Sequence, residues 1–548
     1  MRIAIAQPNP TVGDLAGNRA LVEQAAKQAA EAGAELVVLP ELVLTGYPPM
    51  DLLTRDGFVD DQLRELEALL PASESVAIAL GAVVRADGSR QKQLWNAGVV
   101  LAGGRQVQVR PKSLLPTYDV FDEKRYFAPA EQREIFRLPG STTPLGIAVC
   151  EDTWVEQVPY DVDPVAELCA AGARIVLNPS ASPWHAGKAS ERRAMLARLA
   201  RARGVAIVFA NQVGGNDELI FDGGSCAIDA NGEIRAELPL FEPGFTVVDL
   251  PDRTDEAAGL TIEEVPHVEQ LERGLVLGIR DYFQKQNLPL GAVIGLSGGI
   301  DSAVTAHLAV AALGADRVLG IAMPGPYSSD HSVDDAIELG RLLGIEVRKI
   351  DIRPVYESYL GVFGQLFGER DDYGLTQQNI QSRIRGATLM AASNQENRLV
   401  LATGNKSELS VGYCTLYGDT VGGIAVLGDV YKRDVYALAE YANHEHLRIP
   451  KNTIEKPPSA ELAPDQLDTD DLPPYDILDD VLMQAIEGER GREALVVPPG
   501  TTGEVARNIV RRLDRNEYKR RQTPLVLRTS PKAFGSGRRL PIVHRYEG

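Results

Sequence analysis

A glycine-rich segment with hydroxyl and acidic side chains is the strongest candidate for chemistry in this sequence. It lies between an apolar run at 292–296 and a helical pattern at 301–313, and consists of Gly295, Leu296, Ser297, Gly298, Gly299, Ile300, Asp301 and Ser302. Glycines let backbone N–H groups approach a polyphosphate, and the start of the following helix adds partial positive charge. The Ser297 and Ser302 hydroxyls can donate to phosphate, while the Asp301 carboxylate can hold Mg²⁺. Asp301 and Ser302 would also cap a helix in a plain turn, but the full pattern favours an ATP-binding loop.

A second polar cluster follows the apolar run at 399–402, and it contains Thr403, Gly404, Asn405, Lys406, Ser407 and Glu408. Open parallel sheets bind ligands at the carboxyl ends of their strands, so this cluster and the glycine-rich loop are expected at one edge. Thr403 could contact the nucleotide, and Glu408 could reach the metal or the acceptor. Taken alone, the cluster is as consistent with an ordinary strand-to-helix turn.

Three further residues, Glu41, Lys112 and Cys150, each lie just beyond the end of a predicted strand. A thiol needs a base to become a thiolate, and a nearby ammonium both lowers the thiol pKa and stabilises an oxyanion. Glu41 would be the base and Lys112 the cation for attack by Cys150 on an amide. Individually, each has a simpler explanation: a buried core cysteine and two solvated charges.

The elements that must position these residues fall into two α/β regions. Residues 1–250 alternate short apolar runs with alanine-rich helices, and 224–238 with 245–250 is predicted as a hairpin turning at Asn231-Gly232. The acidic, proline-bounded stretch 251–266 is predicted as a linker. Residues 267–548 alternate helices and strands in a way that favours a doubly wound parallel sheet. The stretch 456–475 is rich in proline and aspartate and is expected to be an ordered loop or a lid.

Composition excludes several classes of protein. With 548 residues the chain is too long for one core, and its net charge of −20 argues against nucleic acid or an anionic membrane as the main partner. No apolar run approaches the roughly 20 residues that a spanning helix needs. We expect no signal segment, because the short apolar run 1–6 is followed at once by Gln7-Pro8-Asn9-Pro10. The four cysteines show no paired spacing or CxxC, so we expect a cytoplasmic protein without a disulfide frame.

The sequence around the thiol resembles the nitrilase superfamily in the order and spacing of its motifs. The matching stretches are Pro40-Glu41, 110–116 (RPKSLLP), 121–127 (FDEKRYF) and Cys150-Glu151-Asp152. That family uses a Glu-Lys-Cys triad on an αββα sandwich to hydrolyse carbon–nitrogen bonds through a thioester. The resemblance implies the triad Glu41, Lys112 and Cys150, with Glu123 as a supporting glutamate.

The glycine-rich loop resembles that of the N-type ATP pyrophosphatases, which cleave ATP to AMP and pyrophosphate. A nitrilase-like domain fused to such a domain is similar to the glutamine-dependent NAD⁺ synthetase family, over nearly the whole chain. The stretches that carry this second resemblance are 378–386 (QNIQSRIRG), 406–408, 411–419 (VGYCTLYGD), 456–462 (KPPSAEL) and 472–476 (LPPYD). The implied fold is an N-terminal αββα sandwich plus a C-terminal Rossmann-like, doubly wound parallel-sheet domain.

The resemblance also implies a reaction. ATP would adenylate the nicotinate carboxylate of deamido-NAD⁺, and ammonia from glutamine would displace AMP, with Mg²⁺ as cofactor and a homo-oligomer as the working form. Asn379, Glu408 and Lys519 would contact deamido-NAD⁺, Thr403 would contact ATP, and Asp301 and Glu408 would hold the metal. Tyr118, Ser182 and Lys188 would hold glutamine, although some relatives have arginine at the position of Lys188. Without the resemblance, Lys519 would be taken for part of a solvated basic helix end.

Two other functions remain open at this point. The chain could be a plain amidohydrolase whose second domain binds nucleotide only as a regulator, although Asp301 argues against pure binding. It could also be an inactive scaffold, which the presence of every expected catalytic position disfavours.

Overall fold

A computed structural model gives the fold of residues 1–86, 94–250, 259–288 and 291–546. The chain divides into two compact units, Met1–Val265 and Pro266–Gly548. The predicted linker at 251–266 lies partly outside the described residues, and its described part, 259–266, forms no helix or strand.

The first unit contains thirteen described strands and four described α-helices. The strands are β1 (Arg2–Gln7), β2 (Leu36–Val38), β3 (Ala77–Arg85), β4 (Leu94–Ala102), β5 (Arg105–Pro111), β6 (Leu145–Ile147), β7 (Ile175–Ser180), β8 (Ala206–Asn211), β9 (Val213–Asn216), β10 (Leu219–Asp222), β11 (Cys226–Ile228), β12 (Ile234–Glu237) and β13 (Gly244–Asp249). The helices are α1 (Leu15–Glu31), α2 (Phe58–Ala68), α3 (Pro164–Ala170) and α4 (Lys188–Arg203).

Four layers build this unit, because both of its large sheets are apolar on both faces. One sheet has the strand order β13-β1-β2-β3-β4-β5 and the other β12-β11-β8-β7-β6. Ile3, Leu36, Ile147 and Leu177 belong to a core cluster between the two sheets. The opposite faces pack against α1 and α2 on one side and α3 and α4 on the other. The αββα sandwich is therefore confirmed.

The expectation for residues 224–250 was wrong in its last strand. β11 and β12 pair antiparallel around a turn in which Gly232 has a φ of +80°, as predicted for Asn231-Gly232. However, β13 pairs antiparallel with β1 in the other sheet, with Ile3 opposite Val248. The Gln7 side chain donates to the carbonyls of Pro239 and Glu242 and so fixes the crossing segment between the sheets.

The second unit contains six described strands and eleven described α-helices. The strands are β14 (Ala292–Gly295), β15 (Val318–Ala322), β16 (Glu346–Lys349), β17 (Leu399–Ala402), β18 (Ile424–Ala425) and β19 (Leu525–Val526). The helices are α5 (His267–Lys285), α6 (Ile300–Leu313), α7 (Asp330–Leu343), α8 (Arg353–Phe367), α9 (Leu375–Glu396), α10 (Lys406–Val411), α11 (Lys432–Ala442), α12 (Lys451–Glu455), α13 (Tyr475–Ile486), α14 (Gly503–Arg515) and α15 (Glu517–Arg520).

All six strands of this sheet run parallel in the order β16-β15-β14-β17-β18-β19. α8 and α9 pack on one face through Tyr356, Ile380 and Ile384, which leaves α5, α6 and α11 to the other side. The doubly wound sheet is confirmed. The chain order reverses between the neighbouring strands β14 and β17, and such a switch point leaves a crevice where ligands bind.

Within the described ranges, no helix is long and apolar enough to cross a membrane.

Candidate active sites

The nucleophile candidate Cys150 lies on a tight turn rather than on a strand. β6 ends at Ile147, and Cys150 opens a short 3₁₀ turn, Cys150–Thr153, with a φ of +43°. Left-handed backbone is strained for a residue with a Cβ and is often found at active sites. The Asp152 carboxylate maintains the turn because it accepts the N–H groups of Val149, Ser113 and Leu114 at 3.0, 3.0 and 2.8 Å. It thereby also ties the turn to the segment that follows Lys112.

The predicted partners of the thiol form a buried charged cluster. Lys112 Nζ donates to Glu41 Oε1 and to Glu123 Oε1, at 2.7 Å each. The Glu41 carboxylate also accepts from the Ala181 N–H at 3.1 Å and from the Asn96 side chain at 2.6 Å. Glu41 and Lys112 are 0% and 1% exposed, so their charges act with little screening.

The pKa values in this cluster follow from burial and charge. Burial raises the pKa of the Cys150 thiol, the Glu41 carboxylate raises it further, and the Lys112 ammonium lowers it. Burial also raises the pKa of Glu123 to about 7, against the attraction of Lys112. Burial alone would lower the pKa of Lys112, but Glu123 and Glu41 outweigh it, so the ammonium stays charged. Of the charges around the thiol, Lys112 thus favours the thiolate, whereas Glu41 and Glu151 oppose it and raise the thiol pKa.

The three residues predicted to hold glutamine have different surroundings. The Tyr118 hydroxyl donates to Glu151 Oε1 at 2.8 Å, directly beside Cys150 in the chain. The Ser182 N–H donates to Asn211 at 2.8 Å. Lys188 is the first residue of α4, and its ammonium lies 5.2 Å from the centre of the Trp154 ring. Tyr118 and Lys188 each contact a residue of the segment that begins at Cys150, and Ser182 follows Ala181, which contacts Glu41.

The glycine-rich loop connects β14 to α6 at the switch point of the second sheet. Gly298 has a φ of +78°, and a Cβ there would lie 2.3 Å from the Ser332 carbonyl oxygen. The Ser302 hydroxyl donates to the Gly299 carbonyl at 2.9 Å, while the Ser297 hydroxyl accepts from the Gly299 N–H at 3.2 Å. These contacts hold the loop in the compact form expected of a phosphate-binding turn.

Asp301 and Glu408 meet at one ammonium. Lys432 Nζ lies 2.5 Å from Asp301 Oδ2 and 3.2 Å from Glu408 Oε1. Asn405 donates to Asp301 Oδ1 at 2.8 Å and also caps α10 by accepting the Glu408 N–H at 3.0 Å. Burial, with the neighbouring Asp301, raises the pKa of Glu408 to about 8, and Lys432 opposes this shift.

The described residues contain no group of three or more His, Cys, Asp or Glu arranged for a metal. The Asp301 and Glu408 carboxylates nevertheless fit Mg²⁺, because hard oxygen ligands suit it and it usually takes the rest of its shell from water and phosphate.

A cavity of about 290 Å³ joins the loop to this cluster. Its polar wall includes Ser297, Gly299, Asp301, Ser302, Thr403, Glu408 and Lys432, and its apolar wall includes Leu296, Ala322, Met323 and Leu389. The structure thus brings the loop, Thr403 and Glu408 together, as the second polar cluster suggested.

The stretch 456–475 borders the same cavity through 456–462 and Asp468. The Glu461 carboxylate accepts from the hydroxyls of Ser329 and Ser332 at 2.9 and 2.7 Å, at the start of α7. Lys456 donates to Asp335 at 3.0 Å. These contacts hold the stretch against α7, as expected of an ordered loop.

Two residues predicted to bind the acceptor do not line this cavity. Asn379 accepts a hydrogen bond from the Thr415 hydroxyl at 2.9 Å, and Lys519 donates to the carbonyls of Gly412 and Cys414 at 2.7 Å each. Both hold the segment 412–415, and Tyr413 within this segment does line the cavity.

Sequence reasoning missed four residues that the structure places in these sites. Asn96 lies within β4, Asp152 follows Cys150, Asn405 lay unremarked in the second polar cluster, and Lys432 begins α11. Asn96 and Lys432 stand far along the chain from their partners, so no local spacing marks them. Asn405 could have been found, because an asparagine three residues before Glu408 is a capping signal.

The fold and the two sites define a class: a carbon–nitrogen hydrolase unit with a buried Glu-Lys-Cys set, followed by a nucleotide-binding α/β unit. The carbon-nitrogen hydrolase family matches residues 2–258, and the NAD synthase family matches residues 271–523. A glutamine-dependent NAD⁺ synthetase of Synechocystis is 43% identical over 99% of each chain, and one of Thermotoga maritima is 38% identical over 100% of this chain and 99% of its own. The chain therefore belongs to the glutamine-dependent NAD⁺ synthetases.

A solved structure agrees with this assignment. The glutamine-dependent NAD⁺ synthetase of Acinetobacter baumannii, in complex with ADP, is 37% identical and superposes with a TM-score of 0.77, covering 99% of this chain and 98% of that one. The family resemblance deduced from the sequence is confirmed.

Proposed function

We propose that this chain makes NAD⁺ from deamido-NAD⁺, ATP and glutamine by linking two reactions. The observation that carries the proposal is that one chain assembles both the Glu41-Lys112-Cys150 set and the cavity that joins the glycine-rich loop to Glu408. The family to which the chain belongs supports it, since relatives that match its whole length are named for this reaction.

In the first unit, Glu41 accepts the Cys150 proton and the thiolate attacks the amide carbon of glutamine. The Lys112 ammonium stabilises the oxyanion, and Glu41 returns the proton to the departing ammonia. Water then hydrolyses the thioester and releases glutamate. Glu123 keeps Lys112 charged and in place from its other side. Tyr118, Ser182 and Lys188 would hold the amino-acid part of glutamine.

In the second unit, ATP would bind with its base on the apolar wall at Leu296, Met323 and Leu389 and its phosphates on the loop 295–302. The nicotinate carboxylate attacks the α-phosphorus, pyrophosphate leaves, and ammonia displaces AMP from the adenylate. Mg²⁺, held by Asp301 and Glu408, would neutralise phosphate charge. The loop at 456–462 would keep water from the adenylate. Asn379 and Lys519 would reach deamido-NAD⁺ from the segment 412–415, and Thr403 would contact ATP.

Two further properties belong to this proposal. We place the reaction in the cytoplasm, which the four free cysteines support. We also propose a homo-oligomer, supported by the exposed apolar side chains Val355, Tyr359, Val362 and Leu366 along α8. Sedimentation velocity of the purified protein tests the second point.

The deciding experiment uses Cys150→Ala with two nitrogen sources. The variant is expected to lose NAD⁺ formation from glutamine by at least about 10³-fold, and to keep wild-type formation from ammonium chloride. Asp301→Ala is the matched control and should lose both, because activation of the carboxylate precedes either nitrogen source. If Cys150→Ala also lost the ammonium-driven reaction while remaining folded, the two-site proposal would be wrong. Glutamine hydrolysis without deamido-NAD⁺-dependent pyrophosphate release would indicate an amidohydrolase with a regulatory nucleotide domain.

A further inference from the structure

The Lys432 ammonium lies between the two carboxylates that the proposed function assigns to the metal. It contacts Asp301 at 2.5 Å and Glu408 at 3.2 Å, and its side chain is only 2% exposed. We propose that Lys432 stands in for the divalent cation in the nucleotide-free enzyme, so that the metal enters the Asp301–Glu408 pair only after a bound nucleotide draws the ammonium away. This inference rests on the metal assignment of the proposed function.

Charge and space both exclude simultaneous occupancy. A metal ion held by these two carboxylates would lie within a few ångströms of the ammonium in its present place, because the ammonium contacts both of them. Two positive charges at that separation repel strongly in a buried site. Of the residues that the structure describes, Lys432 alone makes an ion pair with either carboxylate. The Lys432 ammonium therefore blocks the site, and its displacement opens the site to a metal ion.

The carboxylates are held by groups other than Lys432. Asn405 fixes Asp301 through Oδ1, the oxygen that Lys432 does not contact, and it fixes the first turn of α10, which carries Glu408. Lys432 itself is anchored at its backbone, where its N–H donates to the Ser407 hydroxyl at 2.9 Å. If the ammonium leaves, the pair remains in position and its negative charge is no longer compensated. A buried pair of that kind strongly favours binding of another cation.

The cavity offers the ammonium an alternative anion. Lys432 lines the same cavity as Ser297 and Ser302 of the glycine-rich loop, where the phosphates of a nucleotide would lie. A lysine carries its charge on a flexible four-carbon stem, so it can exchange a carboxylate for a phosphate oxygen without a change in the backbone. The expected order of binding is therefore nucleotide first or together with its metal, and never metal alone.

Mn²⁺ titration followed by electron paramagnetic resonance tests the inference on the full-length protein. Lys432→Met keeps most of the stem and removes the charge. Nucleotide-free Lys432→Met should bind one Mn²⁺ at least about tenfold more tightly than nucleotide-free wild type. Lys432→Arg retains the charge and should resemble wild type. The double variant Lys432→Met with Asp301→Asn should lose the site, which locates the bound ion.

The outcomes separate the inference from the proposal beneath it. If nucleotide-free wild type binds Mn²⁺ as tightly as Lys432→Met, the inference is overturned while the metal assignment stands. If neither Lys432→Met nor wild type with ATP holds Mn²⁺ beyond what ATP binds in solution, the metal assignment itself falls and the inference with it. The wild-type comparison with and without ATP requires no variant to fold. A rise in the melting temperature of nucleotide-free Lys432→Met on adding Mg²⁺, absent in wild type, gives a second readout.

Discussion

Replacing Gly298 by alanine should disable the nucleotide loop through a steric conflict with the backbone of α7. A Cβ at Gly298 would lie 2.3 Å from the Ser332 carbonyl oxygen and 2.8 Å from its Cα. The φ of +78° costs a residue with a Cβ about 1–2 kcal/mol. Overpacking against atoms that cannot rotate away adds about 1–3 kcal/mol. The second unit should therefore lose about 2–5 kcal/mol of unfolding free energy.

The neighbouring Gly299 supplies a matched control for stability. Its φ is −84°, and an added Cβ would approach only the Ser297 hydroxyl, at 3.2 Å. That hydroxyl can rotate, and alanine in a compatible backbone region often stabilises by about 0.4–1 kcal/mol. Gly299→Ala should accordingly unfold within about 1 kcal/mol of wild type.

The assay follows the two units separately. Trp95, Trp154 and Trp184 are the protein's only tryptophans, and all belong to Met1–Val265, so tryptophan fluorescence reports the first unit. Scanning calorimetry reports both units. Gly298→Ala should lower the temperature of one calorimetric transition without changing the melting temperature seen by tryptophan fluorescence. It should also abolish ammonium-driven NAD⁺ formation while glutamine hydrolysis persists. Equal melting temperatures for Gly298→Ala and Gly299→Ala would refute the steric argument.

Two other changes test single contacts. Asn405→Asp keeps the acceptor that caps α10 but replaces the amide donor to Asp301 by a buried carboxylate, so ammonium-driven synthesis and the melting temperature should both fall. Asn405→Ala loses both contacts without adding charge and should cost about 1 kcal/mol in thermal unfolding relative to wild type. Glu123 has its pKa raised from an ordinary 4.5 to about 7 by burial, so its contribution to stability is present below pH 4.5 and is lost as pH rises through 7. The unfolding free energy of wild type relative to Glu123→Gln should therefore decline between those two pH values in denaturant titrations, and a difference that grew with pH would contradict the assignment.

The layered fold could be predicted from the sequence because its signals are local. Apolar runs and alanine-rich stretches indicated the alternation of strands and helices in both units, and the run 292–296 and the helical pattern 301–313 match β14 and α6 within a few residues. The prediction for β13 was wrong because no local pattern within 244–249 indicates which of the two sheets the strand joins. It pairs with β1, more than 230 residues earlier, where Gln7 also donates to the carbonyls of Pro239 and Glu242. A contact between distant residues leaves no periodicity to detect.

The candidate sites divide in the same way. The loop 295–302 was found from its unusual local pattern, and Glu41, Lys112 and Cys150 were found from the family resemblance, since each alone has a simpler explanation. Lys432 was not, because a lysine at the start of a helix resembles any solvated charge. Only the fold brings it to Asp301, 131 positions away. Asn379 and Lys519 were predicted from family resemblance alone. The structure shows that both contact the segment 412–415, which their residue types could not have indicated.

The two sites share one arrangement, a buried lysine between two carboxylates, and its surroundings decide what the lysine can do. Lys112 contacts Glu41 and Glu123 at equal distances, and those carboxylates accept further hydrogen bonds from Asn96 and Tyr47. A charge so completely surrounded stays where it is and can stabilise an oxyanion without moving. Lys432 contacts its two carboxylates unequally and borders an open cavity. It can therefore exchange partners when a stronger anion arrives, as the coupling of nucleotide to metal requires.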